Sequence, residues 1–176
     1  EVRVVWLNAW FDPAREREAA QTLVNQGADV LTNHSGSPAV AQVAEEQGVA
    51  LLAYQSDMGR FAPKAQLAAV THHWGGHYTR VVQSVLDGRW TNKPVWGGLQ
   101  DGLVQLSAVR PGLPAEVAAG LQQRQQAIMA GRLQPFAAPL VDNGGRMRLA
   151  TGALDDAAIS RMDWLVQGVA GSLPAR

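Results

Sequence analysis

A chain of 176 residues with 15 basic and 15 acidic side chains carries no net charge, so it projects no field toward nucleic acid or an anionic membrane. With 47% hydrophobic residues, no cysteine and no apolar run near the roughly 20 residues of a membrane span, it reads as a globular chain without disulfide, thiolate metal site or lipid-bearing cysteine in these residues. Cysteine absence leaves both cytosol and periplasm open, and opening on Glu1 rather than Met fits a processed or internal boundary.

The first half repeats one grammar. "VRVVWL" (2–7) is an almost unbroken β-branched run, as a buried parallel strand should be. A helix follows, with Asp12 as cap, Pro13 in its first turn, Ala19, Ala20, Leu23 and Val24 on one face, and Gly27 at its end. "ADVLTN" (28–33) is the next strand, then a helix capped by Ser37, starting at Pro38 and ending at Gly48. "VALLAY" (49–54) and "LAAVTH" (67–72) are the third and fourth strands, and a third helix runs to Gly88. Strands alternating with helices of this length predict right-handed βαβ units and a parallel sheet covered on both faces.

After Arg89 the pattern loosens into strand-like pieces broken by glycine, a glutamine-rich helix over 114–131, and a hairpin turning at Asn143-Gly144-Gly145. The segment from Asp155 to Val169 reads as a short amphipathic helix or as a helix plus a strand. The expected organisation is therefore an α/β lobe over 1–92 and a crossover, helix, hairpin and terminal element over 93–176.

In open parallel sheets ligands bind beyond the carboxyl ends of the strands. That rule selects four loops: "NAWFD" (8–12), "NHSGS" (33–37), "YQSDM" (54–58) and "HHWGG" (72–76). Trp10, Phe11, Tyr54 and Trp74 offer ring faces; Asn33, His34, Ser35, Ser37, Gln55 and Asp57 offer hydrogen bonds, a mixture that suits a flat heterocycle such as a purine. Taken singly, each has a plainer reading: Trp10 and Trp74 as packing residues, Asp57 as a turn initiator, His34 as a loop hydrogen-bonder. The convergence of four loops favours binding.

A metal is not expected. Strand geometry sends His72 and His73 to opposite faces, glycines interrupt the path from His73 to His77, and no carboxylate or cysteine stands at ligand spacing. No cofactor is expected either, and no nucleophile elbow, P-loop or dinucleotide fingerprint supports an enzyme.

"WFDPA" with the glutamates that follow, "SDM" with "FAP", "WG" with Tyr78, and the closing "MDWLVQGV" resemble the basic membrane protein family, the PnrA-like substrate-binding lipoproteins of ABC transporters. The resemblance implies a three-layer αβα lobe of the type I periplasmic-binding-protein fold, and it covers only the second lobe plus the returning tail. The first lobe, with its signal sequence and lipid-bearing cysteine, lies outside the resemblance. It further implies capture of a purine nucleoside or base between two lobes, delivery to a membrane permease, and an extracytoplasmic, lipid-anchored location. Carried over by position, the ligand contacts are Trp10, the 33–37 loop, Tyr54 to Asp57, and His72 to Trp74. Nucleoside-binding members usually have an aspartate for the ribose where this chain has Gln55, and a lysine near His72; both departures point to a base, or to a nucleoside held differently. The same fold forms the ligand core of repressor-type sensors, which stand as the alternative, with a hydrolytic enzyme third.

Overall fold

The computed structural model describes residues 1–174, so the last two residues of the expected carboxyl-terminal segment lie outside it. In chain order the elements are β1 (Val2–Arg3), α1 (Pro13–Asn25), β2 (Val30–Thr32), α2 (Ala39–Gln47), β3 (Ala50–Gln55), β4 (Gln66–His72), α3 (Gly75–Leu86), β5 (Val104–Ser107), α4 (Ala115–Met129), β6 (Leu140–Val141), β7 (Met147–Leu149), α5 (Asp156–Ser160) and β8 (Val169–Ala170).

The main sheet has the order β2-β3-β4-β5. Its first three strands are parallel, with Leu31 opposite Leu51 and Ala53 opposite Ala69, and β5 closes the edge antiparallel to β4. Alternation along β3 shows which face is the core: Leu51 is fully buried, Leu52 is 44% exposed, and Ala53 is buried again. The buried face meets Val40, Ala41, Val43 and Ala44 of α2 and Ala20 of α1. On the other face Val30 and Leu52 are half exposed, and α3 buries no residue.

The helices obey the signals that announced them. Asp12 Oδ1 accepts from Arg15 N at 3.1 Å, and Pro13 opens α1. Its end follows from Gly27 at φ +92°, a conformation glycine adopts without a Cβ penalty, with Gly27 N donating to Val24 O at 2.9 Å. α2 differs by one residue from expectation: Pro38 is its cap and Ala39 its first residue, because Ser37 is drawn away toward α1. The Ser37 hydroxyl still accepts from Ala39 N at 3.2 Å while donating to Glu16 Oε2 at 2.7 Å.

The opening run departs most. It does not join the main sheet. Only Val2 and Arg3 pair, in parallel, with Val169 and Ala170 of the chain's far end, while Val5 and Trp6 stay about half exposed. Direct pairing of Val30 with Ala50 leaves no place between β2 and β3, and the run lies instead beside α1. Apolar patterning fixes that a segment seeks burial and leaves its partner open. Further along, the hairpin turns where expected: Asp142 Oδ1 accepts from Gly144 N and Arg146 N, and Arg148 Nε donates to Oδ2 at 2.7 Å. The Asp155–Val169 segment takes the helix-plus-strand form, α5 capped by Asp155 and β8 beginning at Val169.

Candidate ligand-binding edge

The carboxyl ends of β2, β3 and β4 carry His34, Tyr54 and His72, and the loop entering α1 adds Trp10. Their rings form one row. Trp10 lies 6.0 Å from His34, tilted by 54°. His34 stacks on Tyr54 with centroids 4.5 Å apart and planes 28° apart. Tyr54 meets His72 edge-on at 5.4 Å, and His72 Nε2 is 3.2 Å from the Tyr54 hydroxyl. His72 in turn meets Trp74 edge-on at 6.3 Å. Five of the ten residues singled out from the sequence thus touch in succession across four loops. One contact in the row is tilted, one stacked and two edge-on, the last two kinds being arrangements aromatic rings prefer.

The remaining candidates divide. Asn33 belongs to the edge, but its amide nitrogen is spent on Ser35, donating to Ser35 O at 2.9 Å, which leaves its side-chain oxygen to offer. Gln55 ends β3 at φ +72°. Ser35 and Ser37 are buried rather than open to the edge. Ser37 serves Glu16, whose side chain is fully buried and also accepts from Asp12 N at 3.1 Å. Burial pushes the Glu16 carboxyl up, but hydrogen bonds from Ser37, Ser35 and the Asp12 backbone outweigh it, and the net position is below the usual range. Asp57 accepts from Gln66 Nε2 at 2.7 Å and Gly59 N at 2.8 Å, which hold its carboxyl below the usual range. It builds the turn after β3, with Oδ1 already committed.

The histidine pair separates as strand geometry requires. His72 turns to Tyr54, whereas His73 Nε2 lies 3.0 Å from the Thr71 hydroxyl. Among the described residues no three His, Asp or Glu side chains gather as a metal would need.

Beside the row opens a groove of about 750 Å³, lined by Trp6, Leu23, Leu31 and Val40, with Glu16 among its walls and Trp10, His34 and Tyr54 shared with the row. Sequence reasoning missed this groove, because it placed residues 2–7 inside the sheet. It also missed Glu16, whose only signal is its position four residues after the Asp12 cap. The β2–α2 loop is pinned against the row at Gly36, whose N–H donates to Trp10 O at 2.8 Å and where a Cβ would stand only 3.2 Å from that oxygen.

Residues 1–134 match the family described as ABC transporter substrate-binding protein, PnrA-like. The chain belongs to this family. PnrA-like proteins are solute-binding components of ABC transporters and not enzymes. Among curated relatives, a purine-binding protein of Brucella abortus is 37% identical over 98% of this chain and 49% of its own length. A putative ABC transporter glucose-binding protein of Haloferax volcanii is 30% identical over 98% of the chain and 42% of its own length. The chain thus spans about half the length of the curated relatives it matches.

Solved structures agree on the fold. A transcriptional activator of the comK gene from Bacillus halodurans superposes with a TM-score of 0.63 at 19% identity, over 74% of this chain and 47% of that one. An ABC transporter solute-binding protein from Conexibacter woesei gives 0.55 at 17% identity, over 74% and 44%. With these neighbours, the parallel-dominated α/β architecture of this PnrA-like chain is that of the periplasmic-binding proteins.

Proposed function

We propose that this PnrA-like chain supplies one wall of a purine site in an ABC-importer solute-binding protein, with a purine base preferred over a nucleoside. The row from Trp10 to Trp74 carries the proposal: ring faces from four separate loops, rimmed by amide and imidazole groups, suit a flat heterocycle with hydrogen-bonding edges. The relative named for purine binding supports it. The family resemblance places Gln55 where nucleoside-binding members usually have a ribose-binding aspartate, which favours the bare base. In the full-length protein the row faces a second lobe, loaded protein docks on the permease, and the whole works outside the cytoplasmic membrane on a lipid anchor.

One wall alone binds weakly. Stacking contributes about 1–3 kcal/mol per base and each hydrogen bond about 1 kcal/mol, whereas micromolar affinity requires about 8 kcal/mol. Closure by a second lobe supplies the difference by burying the other face. Calorimetry on the full-length protein with adenine, hypoxanthine, adenosine, inosine and glucose tests the reading. Purine bases are expected to bind at micromolar affinity or better, and Trp74→Ala to weaken them about tenfold or more. Sugars also rest on aromatic faces, and one relative is named for glucose. Tight glucose binding with no purine binding would replace this proposal with a sugar site on the same row.

A further inference from the structure

The row does not stop at Trp74. One helical turn further, on α3, the ring of Tyr78 lies 6.2 Å from that of Trp74 and within 18° of parallel. His77 stands edge-on to Trp74 at 5.7 Å and 6.0 Å from Tyr78. Rings four residues apart on a helix meet routinely, and such pairs ordinarily cover a core. Here none lies beneath them: α3 buries no residue and Tyr78 is 60% exposed. Gly75, beside Trp74, has open space where a side chain would begin, so the mouth of the helix is clear.

The geometry points to Tyr78 as a ligand-contacting residue that forms, with Trp74, a two-sided clip for a planar ring, His77 closing a third side. This deepens the reading of the row as a site for a flat heterocycle and rests on it. A ring held face to face between two others needs about 7 Å, twice the carbon–carbon contact distance of roughly 3.5 Å. Trp74 and Tyr78 now stack on each other with centroids 6.2 Å apart, so Tyr78 must swing off Trp74 to admit a ring, and its exposed side chain is free to change rotamer in picoseconds to nanoseconds. The clip selects for ring area. A fused bicyclic base fills both faces, and a single pyrimidine ring leaves part of each wet.

Calorimetry on the full-length protein with adenine and uracil, using Tyr78→Ala and Tyr78→Phe, tests the clip. Tyr78→Ala is expected to weaken adenine about tenfold and to narrow the preference for adenine over uracil, while Tyr78→Phe stays within about twofold of the native protein. Equal melting temperatures for native and Tyr78→Ala protein would show that the loss is one of contact and not of folding. Adenine binding unchanged in Tyr78→Ala, alongside a tenfold loss in Trp74→Ala, overturns the clip and leaves the purine row standing. Failure of the native protein to bind any purine overturns both.

Discussion

Replacing Glu16 with alanine is expected to destabilise the protein by about 3 kcal/mol, because two donors then lose a charged acceptor inside the fold. The fully buried carboxylate takes the Ser37 hydroxyl at 2.7 Å and the Asp12 N–H at 3.1 Å. Hydrogen bonds to charged groups contribute roughly 1.5–3 kcal/mol, and a stranded buried donor costs about 1–3 kcal/mol. Thermal or urea unfolding at neutral pH measures the loss; a melting point unchanged by Glu16→Ala would sink the claim.

The same group sets a pH dependence. Its folded-state pKa is lowered, so its contribution is fully present above the ordinary glutamate value and fades as pH falls from about 4.3 through the lowered folded value. Asp57 acts in the same direction, weakly, since it is exposed. Glu16→Gln keeps the shape and removes the titrating proton, so its stability should vary less between pH 5 and pH 3 than that of the native protein. Because Glu16 ties α1 to the loop before α2, its loss should also loosen the loop that carries His34 and Gly36 and, on the proposed reading, lower purine affinity along with stability.

A second large effect is expected at β3. Leu51→Ala should cost about 2–5 kcal/mol, the range for a fully buried leucine replaced by a cavity, against a total stability of roughly 5–15 kcal/mol. Leu51 is fully buried in the central parallel strand, and its neighbour Leu52, on the opposite face, is 44% exposed. Leu52→Ala should therefore cost less than about 1 kcal/mol, within the range of surface changes. The pair is diagnostic when compared in one set of unfolding curves. Equal losses at both positions would mean that the second face of the sheet is covered as thoroughly as the first.

Much of this was legible because it is written locally. Asp12, Pro13 and Gly27 bracket α1 within a few residues of each other, and the physics of a helix end needs nothing distant. The aromatic row was legible for a related reason: where strands are parallel, the residue after each one must fall on the same side, so His34, Tyr54 and His72 were bound to meet once β2, β3 and β4 paired. What was hidden depends on distant partners. Nothing near Val2 announces Val169, and the apolar run from Val2 to Leu7 looked the same whether it entered the sheet or lay beside α1. Glu16 looked like any solvent-facing helix residue until Ser37 arrived from the next loop. The sequence raised His77 only as a metal ligand and Tyr78 only as part of a family motif, since their standing as exposed rings depends on the emptiness beneath α3.

Gln55 ends β3 with its backbone at φ +72°. Longer side chains occupy that region at a cost on the order of 1 kcal/mol, which asparagine and aspartate largely escape. Shortening the residue therefore relieves the backbone while leaving a polar group at the same edge. On the proposed reading, this makes position 55 a low-barrier tuning point: Gln55→Asn should stabilise the lobe slightly, and Gln55→Asp would do so while offering a carboxylate to a ribose. Selectivity between bare and ribosylated purines can then drift in either direction without a toll on folding, so close relatives of this scaffold can diverge in diet long before they diverge in shape.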